Sequence, residues 1–254
     1  MRYKVILKTT NRYENRVQLC LNTWLKDLDY VCLTDKPTGK FNEIQGSERQ
    51  DYHSAEEKTV FMMNHIKDSD EYNEYDWLVF IDDDAILNTK MFEFIAPHFD
   101  KNKLYGLIIG GCPKEPSLEF PSGGASYMVS PSLIKQVGRM KDREWGLEDV
   151  SVGKWMKEEN IEYSDSFVIG DSKYYLRLNG WFPFTDESRD FPPELVNDRA
   201  KYASAIFERV TEAKRESLLS HMTHHYIKDA EFMYYLHELY SNWTTEDMKL
   251  YRIA

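Results

Sequence analysis

Residues 76–87 read DWLVFIDDDAIL. Trp77 to Ile81 form an uninterrupted apolar run of strand length, rich in β-branched and aromatic side chains. A run without polar alternation predicts a strand buried on both faces, at the centre of a sheet. Asp82, Asp83 and Asp84 then set three carboxylates at the end of that strand. Their repulsion raises at least one pKa unless a cation sits among them, and a hard divalent ion with oxygen ligands is the matching candidate. The other reading is a solvated acidic turn after an edge strand, which the continuity of the apolar run opposes.

Upstream, Tyr3 to Lys8 reads as a strand, Thr9 to Asn15 as a polar loop, Arg16 to Lys26 as an amphipathic helix and Tyr30 to Thr34 as a second strand. This alternation belongs to a doubly wound α/β sheet, in which ligands bind beyond the carboxyl ends of strands, so the KTTNR loop is a candidate nucleotide site. Neither GxGxxG nor GxxxxGKS is present to make it a dinucleotide or P-loop site. Residues 39–54 read as a surface loop and Ala55 to Ile66 as a helix, with Met62 and Met63 filling core.

Downstream, Lys90 to Phe99 reads as a helix, and Leu104 to Ile109 as a buried strand closed by Gly110 and Gly111. In FPSGGASYMVS, Gly123 and Gly124 either let backbone approach a ligand or form a plain turn, before a strand over Ala125 to Val129 and a helix from Ser130 or Pro131. Glu148 and Asp149 open the helical pattern of WGLEDVSVGKWM, where a carboxylate serves as cap or general base. Ile161 to Ile169 reads as a strand, residues 174–184 as an aromatic-rich segment and residues 194–219 as a charged helix. His221, His224 and His225 follow, in a spacing that fits no tetrahedral zinc signature but suits a transition metal shared with carboxylates. A last helix near Asp229 carries Phe232, Met233, Leu236 and Leu239 on a face that packs on the domain.

The 254 residues carry a formal charge of -11, which argues against nucleic acid as the main partner, because phosphate binding needs a basic face. Cys20, Cys32 and Cys112 form neither a disulfide framework nor a CxxC knuckle, so a reducing cytosol is expected. The short apolar run at the N-terminus is a first strand and not a signal peptide, and no segment is long enough to span a bilayer.

Six motifs occur in order: VILKTTNR, NRVQLCLNTW, WLVFIDDDAIL, SGGASYMVS, LEDVSVGKWM and HHYIKDAEFMYYL. In this order the chain resembles the Fringe and β-1,3-glycosyltransferase family, glycosyltransferase family 31. The resemblance implies a single GT-A domain over residues 1–254, with a mostly parallel sheet, a nucleotide-binding part over about 1–110 and an acceptor-binding part over about 111–254. It implies an inverting transferase that moves a hexosyl, N-acetylhexosaminyl or pentosyl group from a UDP-sugar to a glycan or glycoconjugate hydroxyl, with Mn(II) or Mg(II). The aspartate triplet corresponds to the DxD-type motif, which gives Asp84 and Asp82 as metal ligands and Asp82 and Asp83 as donor contacts. The family's late histidine ligand falls on His225, with His224 second. Thr9, Thr10, Arg16 and Lys58 would touch the nucleotide, and Gly123 and Gly124 the transferred sugar, with Ser122 in place of a more usual threonine. The base lies at Asp149 or Glu148, Asp149 being favoured.

Eukaryotic members carry a Golgi anchor, a stem and disulfides. This sequence shows none of them, so a soluble cytoplasmic protein without a membrane-spanning segment is expected, either a microbial or viral relative or a fragment lacking its anchor. Two rivals remain. A haloacid-dehalogenase-like phosphatase also places aspartates after an apolar strand, though usually the first strand, which here ends in KTT. A catalytically silent carbohydrate-binding protein would keep the fold alone.

Overall fold

The residues of the two innermost strands alternate between opposite cores. Val5, Leu7, Val79 and Ile81 face one apolar cluster, and Ile6, Leu78 and Phe80 face the other. Strands buried in this way need helices on both sides. The computed structural model describes residues 1–51, 53–112, 114–142, 147–179, 218–227 and 230–247. Its strands are β1 Tyr3–Lys8, β2 Tyr30–Thr34, β3 Glu43–Gln45, β4 Trp77–Asp82, β5 Ala85–Leu87, β6 Lys103–Gly106, β7 Ile108–Cys112, β8 Glu115–Pro121, β9 Tyr127–Val129, β10 Glu162–Ser164, β11 Ser166–Ile169, β12 Ser172–Tyr175, β13 Leu178–Asn179 and β14 Thr223–His225. Its helices are α1 Glu14–Asn22, α2 Ser54–Asp68, α3 Thr89–Ile95, α4 Pro131–Gln136, α5 Glu148–Glu159 and α6 Ala230–Ser241.

Among the described residues the main sheet has seven strands, in the order β10-β6-β9-β4-β1-β2-β3. The acidic strand β4 is the middle one, parallel to β1 and antiparallel to β9. Only β9 runs against the rest, so the sheet is mostly parallel, as expected. Apolar residues of α1, α3 and α6 cover one face and those of α2, α4 and α5 the other. The expected face of Phe232, Met233, Leu236 and Leu239 is buried in the first of these cores. No described helix is long and apolar enough to cross a membrane.

Several boundaries differ from expectation, each for a local reason. The first helix starts early, at Glu14, after a 3-10 turn at Asn11–Tyr13 whose backbone Arg12 N donates to the Thr10 hydroxyl. It ends at Asn22, and the Thr23 hydroxyl donates back to the Leu19 carbonyl. The loop expected over 39–54 contains β3, a short edge strand with no apolar run to announce it. Gly110 and Gly111 do not close a strand. They lie inside β7, where Gly111 at φ 96° accompanies a register shift against β8. Separate strands β10 and β11 replace the one expected over 161–169, because the Ser164 hydroxyl bonds to the backbone of Ser166 and turns the chain at Asp165. The helix expected to reach Phe99 becomes 3-10 over Ala96–His98, where Pro97 removes a backbone donor. Residues 180–184 of the aromatic segment and 194–217 of the charged helix lie outside the described residues.

Candidate active site

A cleft of about 720 Å³ opens beyond the carboxyl ends of β1 and β4, the expected place for a ligand in a sheet of this kind. Thr9, Thr10, Arg16, Lys58, Asp82, Asp83, Asp84, Gly123, Gly124, Glu148, Asp149 and His225 all line it. The sequence had placed every one of them in the site, and the fold brings them together from six separate segments. His224 is not among them.

The cluster of Asp82, Asp84 and His225, a group that could hold a metal ion, is made by strand pairing. After the aspartates the chain forms β5, against which β14 pairs antiparallel, with His225 opposite Ala85. The Ile227 N–H donates to the Asp84 carbonyl at 2.7 Å and locks the end of that pairing. His225 Nε2 then lies 3.1 Å from Asp84 Oδ1 and 3.6 Å from Asp82 Oδ2. One ligand atom from each of the three residues falls within 4.8 Å of the others. Neighbours in a strand face opposite ways, so His224 turns into the core beside Leu218 and Tyr240, where burial lowers it to about 3 and keeps it neutral. Tyr226, next in line, sits at φ 74° and lines the cleft. A left-handed conformation in a bulky residue is a form of strain that clusters at ligand sites.

Asp83 plays a different part from its neighbours. It is buried, with Oδ2 accepting from the Thr9 hydroxyl at 2.6 Å and Oδ1 3.2 Å from the Arg16 guanidinium. Burial, assisted by Asp84, pushes its carboxyl up to about 7. Arg16 stacks on the Tyr13 ring at 3.8 Å and lies 3.5 Å from Asp84 Oδ2. Lys58 donates to the Thr9 carbonyl at 2.6 Å, and burial lowers its pKa.

The far bank belongs to α5, whose N-cap is Leu147, with no side-chain cap bond. Glu148 and Asp149 lie in its first turn. Both Glu148 oxygens are engaged, Oε1 by the Tyr127 hydroxyl at 2.8 Å and Oε2 by Lys8 Nζ at 2.7 Å. Asp149 Oδ1 accepts from the Val150 N–H at 2.9 Å, and burial, then the Glu148 charge, pushes Asp149 up to about 6. The glycine pair has a steric reason that the sequence did not show. A Cβ on Gly123 would collide with Glu148 Oε2, and one on Gly124 with the His225 ring, 2.6 Å from Nε2 and closer to Cε1.

Sequence reasoning missed Lys8, Tyr127 and Tyr13. The first stood within the quoted KTT run, but a lysine at a strand end gives no sign of its partners. The raised carboxyls predict a pH dependence. Asp83 and Asp149, held at about 7 and about 6 against an ordinary 3.8, bind more protons folded than unfolded between those values. Stability of the metal-free chain therefore falls as pH rises from about 4 to about 7. Urea midpoints in chelator at pH 5 and 7.5 check this. The decline should shrink clearly in Asp83→Asn, and an equal decline in that variant would contradict the assignment.

No match was found among curated proteins. Among solved structures the chain is similar to the glycosyltransferase GlyE in Streptococcus pneumoniae TIGR4, at 13% identity and a TM-score of 0.45, over 99% of this chain and 64% of that one. It is also similar to A197 from STIV, at 12% identity and a TM-score of 0.36, over 69% of this chain and 90% of that one. The Fringe-like family matches residues 4–145, from β1 through the aspartates and the glycine pair, which is more than half of the sequence. On that match, this chain belongs to the Fringe-like family.

Proposed function

We propose that this protein is an inverting, metal-dependent glycosyltransferase that moves a sugar from a UDP-sugar to a hydroxyl of a glycan or glycoconjugate. Membership of the Fringe-like family supports glycosyltransferase activity. The observation that carries the rest is one cleft with two aspartates and a histidine on one bank and a raised, partly buried aspartate on the other. In this reading the nucleotide-binding part spans about residues 1–110 and the acceptor-binding part about residues 111–254, with His225 joining the two aspartates of the first part.

The donor set fits the metal. Two carboxylate oxygens and one imidazole nitrogen, within 4.8 Å of one another, suit a divalent ion that accepts both ligand types, as Mn(II) does. Asp82, Asp84 and His225 would hold it. When bound, such an ion supplies positive charge beside a leaving diphosphate.

The chain's own residues supply the remaining steps. Thr9, Thr10, Arg16 and Lys58 flank the nucleotide, and the Gly123–Gly124 backbone borders the transferred sugar. Asp149 accepts the proton of the acceptor hydroxyl as that oxygen bonds to the anomeric carbon, and the bond to UDP breaks with its electron pair leaving on the diphosphate. Attack from the face opposite UDP inverts the anomeric centre. A base near 6 is ionised at neutral pH yet still basic enough to take a proton in flight. Glu148, with both oxygens committed, is the poorer base.

A thermal-shift screen of UDP-sugars, with Mn(II) and with chelator, followed by UDP-release assays, tests the proposal. Donor at a hundred times its Kd should add about 2.7 kcal/mol of stability, only with the metal, and acceptor should then release UDP. Phosphate release from simple esters without UDP binding would instead indicate the phosphatase. Glycan binding with no turnover of any UDP-sugar would indicate the silent carbohydrate-binding protein.

A further inference from the structure

We infer that Lys8 is a positioning residue whose ammonium, shared between Asp82 and Glu148, sets the metal-side carboxylate and the helix carrying Asp149 in fixed relation across the cleft. The inference deepens the proposed function and rests on its choice of Asp82, Asp84 and His225 as metal ligands.

Lys8 and Asp82 are register partners at the ends of the parallel strands β1 and β4, so their side chains rise together from one face of the sheet. Lys8 Nζ lies 3.0 Å from Asp82 Oδ1, 2.7 Å from Glu148 Oε2 and 3.1 Å from the Gly123 carbonyl. The Tyr127 ring sits 5.6 Å away, and its hydroxyl holds the other Glu148 oxygen. At 7% exposure the lysine has little water to fall back on. Burial alone would lower its pKa, but Asp82 and Glu148 outweigh burial and hold it charged.

The two metal-side carboxylates are built alike. Asp82 turns Oδ1 to Lys8 and Oδ2 toward His225; Asp84 turns Oδ2 to Arg16 and Oδ1 toward His225. Each carboxylate keeps one oxygen for the cluster because a cation fixes the other, and partners of this kind orient a metal ligand. Lys8 differs from Arg16 in having its second carboxylate on α5. Glycine at 123 makes room for this junction, since a Cβ there would meet Glu148 Oε2 and come within 3.4 Å of Lys8 Nζ.

The test is a double-mutant cycle of Lys8→Met, Glu148→Gln and the pair, with Mn(II) affinity read by calorimetry and UDP-sugar turnover measured on the same preparations of the 254-residue chain. Lys8→Met should weaken Mn(II) by about 10–100-fold and lower turnover, whereas Glu148→Gln should leave Mn(II) affinity within about twofold and lower turnover alone. The pair should turn over no more slowly than Lys8→Met, because coupled sites do not add. Additive losses would mean that Lys8 contacts the donor itself. Unchanged or tighter Mn(II) binding in Lys8→Met would mean that the ammonium only repels the ion. Either result overturns the inference. If Lys8→Met does not fold, the comparison passes to the pair against Glu148→Gln, where Mn(II) must still bind more weakly in the pair. Weakened Mn(II) binding with no transfer by the wild type would refute the glycosyltransferase and leave the Lys8 assignment standing. Absence of Mn(II) binding in the wild type would refute both.

Discussion

Asp149→Asn is expected to lower turnover by about 10²–10⁴-fold, while UDP binding in Mn(II) stays close to that of the wild type. The amide keeps the shape of the carboxylate and its bond to the Val150 N–H, but cannot take a proton at neutral pH. Stability should not suffer. Burial already disfavours the charged form of Asp149, so a neutral side chain is at least as well accommodated above pH 6. The wild-type rate should climb with pH and level off above about 6, and the residual rate of the variant should lack that limb. Glu148→Gln is the informative contrast. It should keep the limb and move its midpoint down, because the Glu148 charge contributes to raising Asp149. Rate against pH for the three proteins settles which carboxylate is the base; a limb surviving in Asp149→Asn would remove Asp149 from that role.

Gly124→Ala should be nearly as damaging, through a single methyl group. The new Cβ would overlap Cε1 and Nδ1 of His225 and lie 2.6 Å from Nε2, so the ring must leave its place beside Asp84. The backbone of His225 cannot follow easily, being paired to β5 on one side and bonded onward through Ile227 to Asp84. Mn(II) affinity should fall by at least the ~10–100-fold typical of lost support around a metal ligand, and overpacking should cost about 1–3 kcal/mol. Gly110→Ala is the control, since a Cβ there meets nothing within 4 Å. Calorimetric titration of Mn(II) into both variants checks the claim. Wild-type affinity in Gly124→Ala would mean that His225 is no ligand.

Much of the fold could be read from alternation and its absence. The continuous apolar run of 77–81 placed β4 mid-sheet, because only a doubly covered strand can dispense with polar residues. The helix expected over 55–66 appears at 54–68, and the one expected to open at Glu148 and Asp149 appears at 148–159. What escaped depends on contacts between distant segments. The edge strand β3 has a single isoleucine and exists only because β2 offers it a partner. The glycines at 110 and 111 look like terminators, yet a hairpin tolerates them through a bulge. Of two adjacent histidines, the family resemblance had already preferred His225 over His224, and the physical reason, the register of β14 against β5, came only with the structure. The role of Lys8 is likewise invisible until β1, β4 and α5 are seen to converge.

The pairing of β14 with β5 governs when the site can come into being. Asp82 and Asp84 stand at β4 and just beyond it, beside β1 in the first third of the sequence, whereas the imidazole arrives on β14, much later in the sequence. Closing so long a loop is slow and entropically costly, and the reward comes only once the late segment docks. During synthesis the aspartates would emerge before the histidine, so the three-residue cluster would be complete only once β14 has paired with β5.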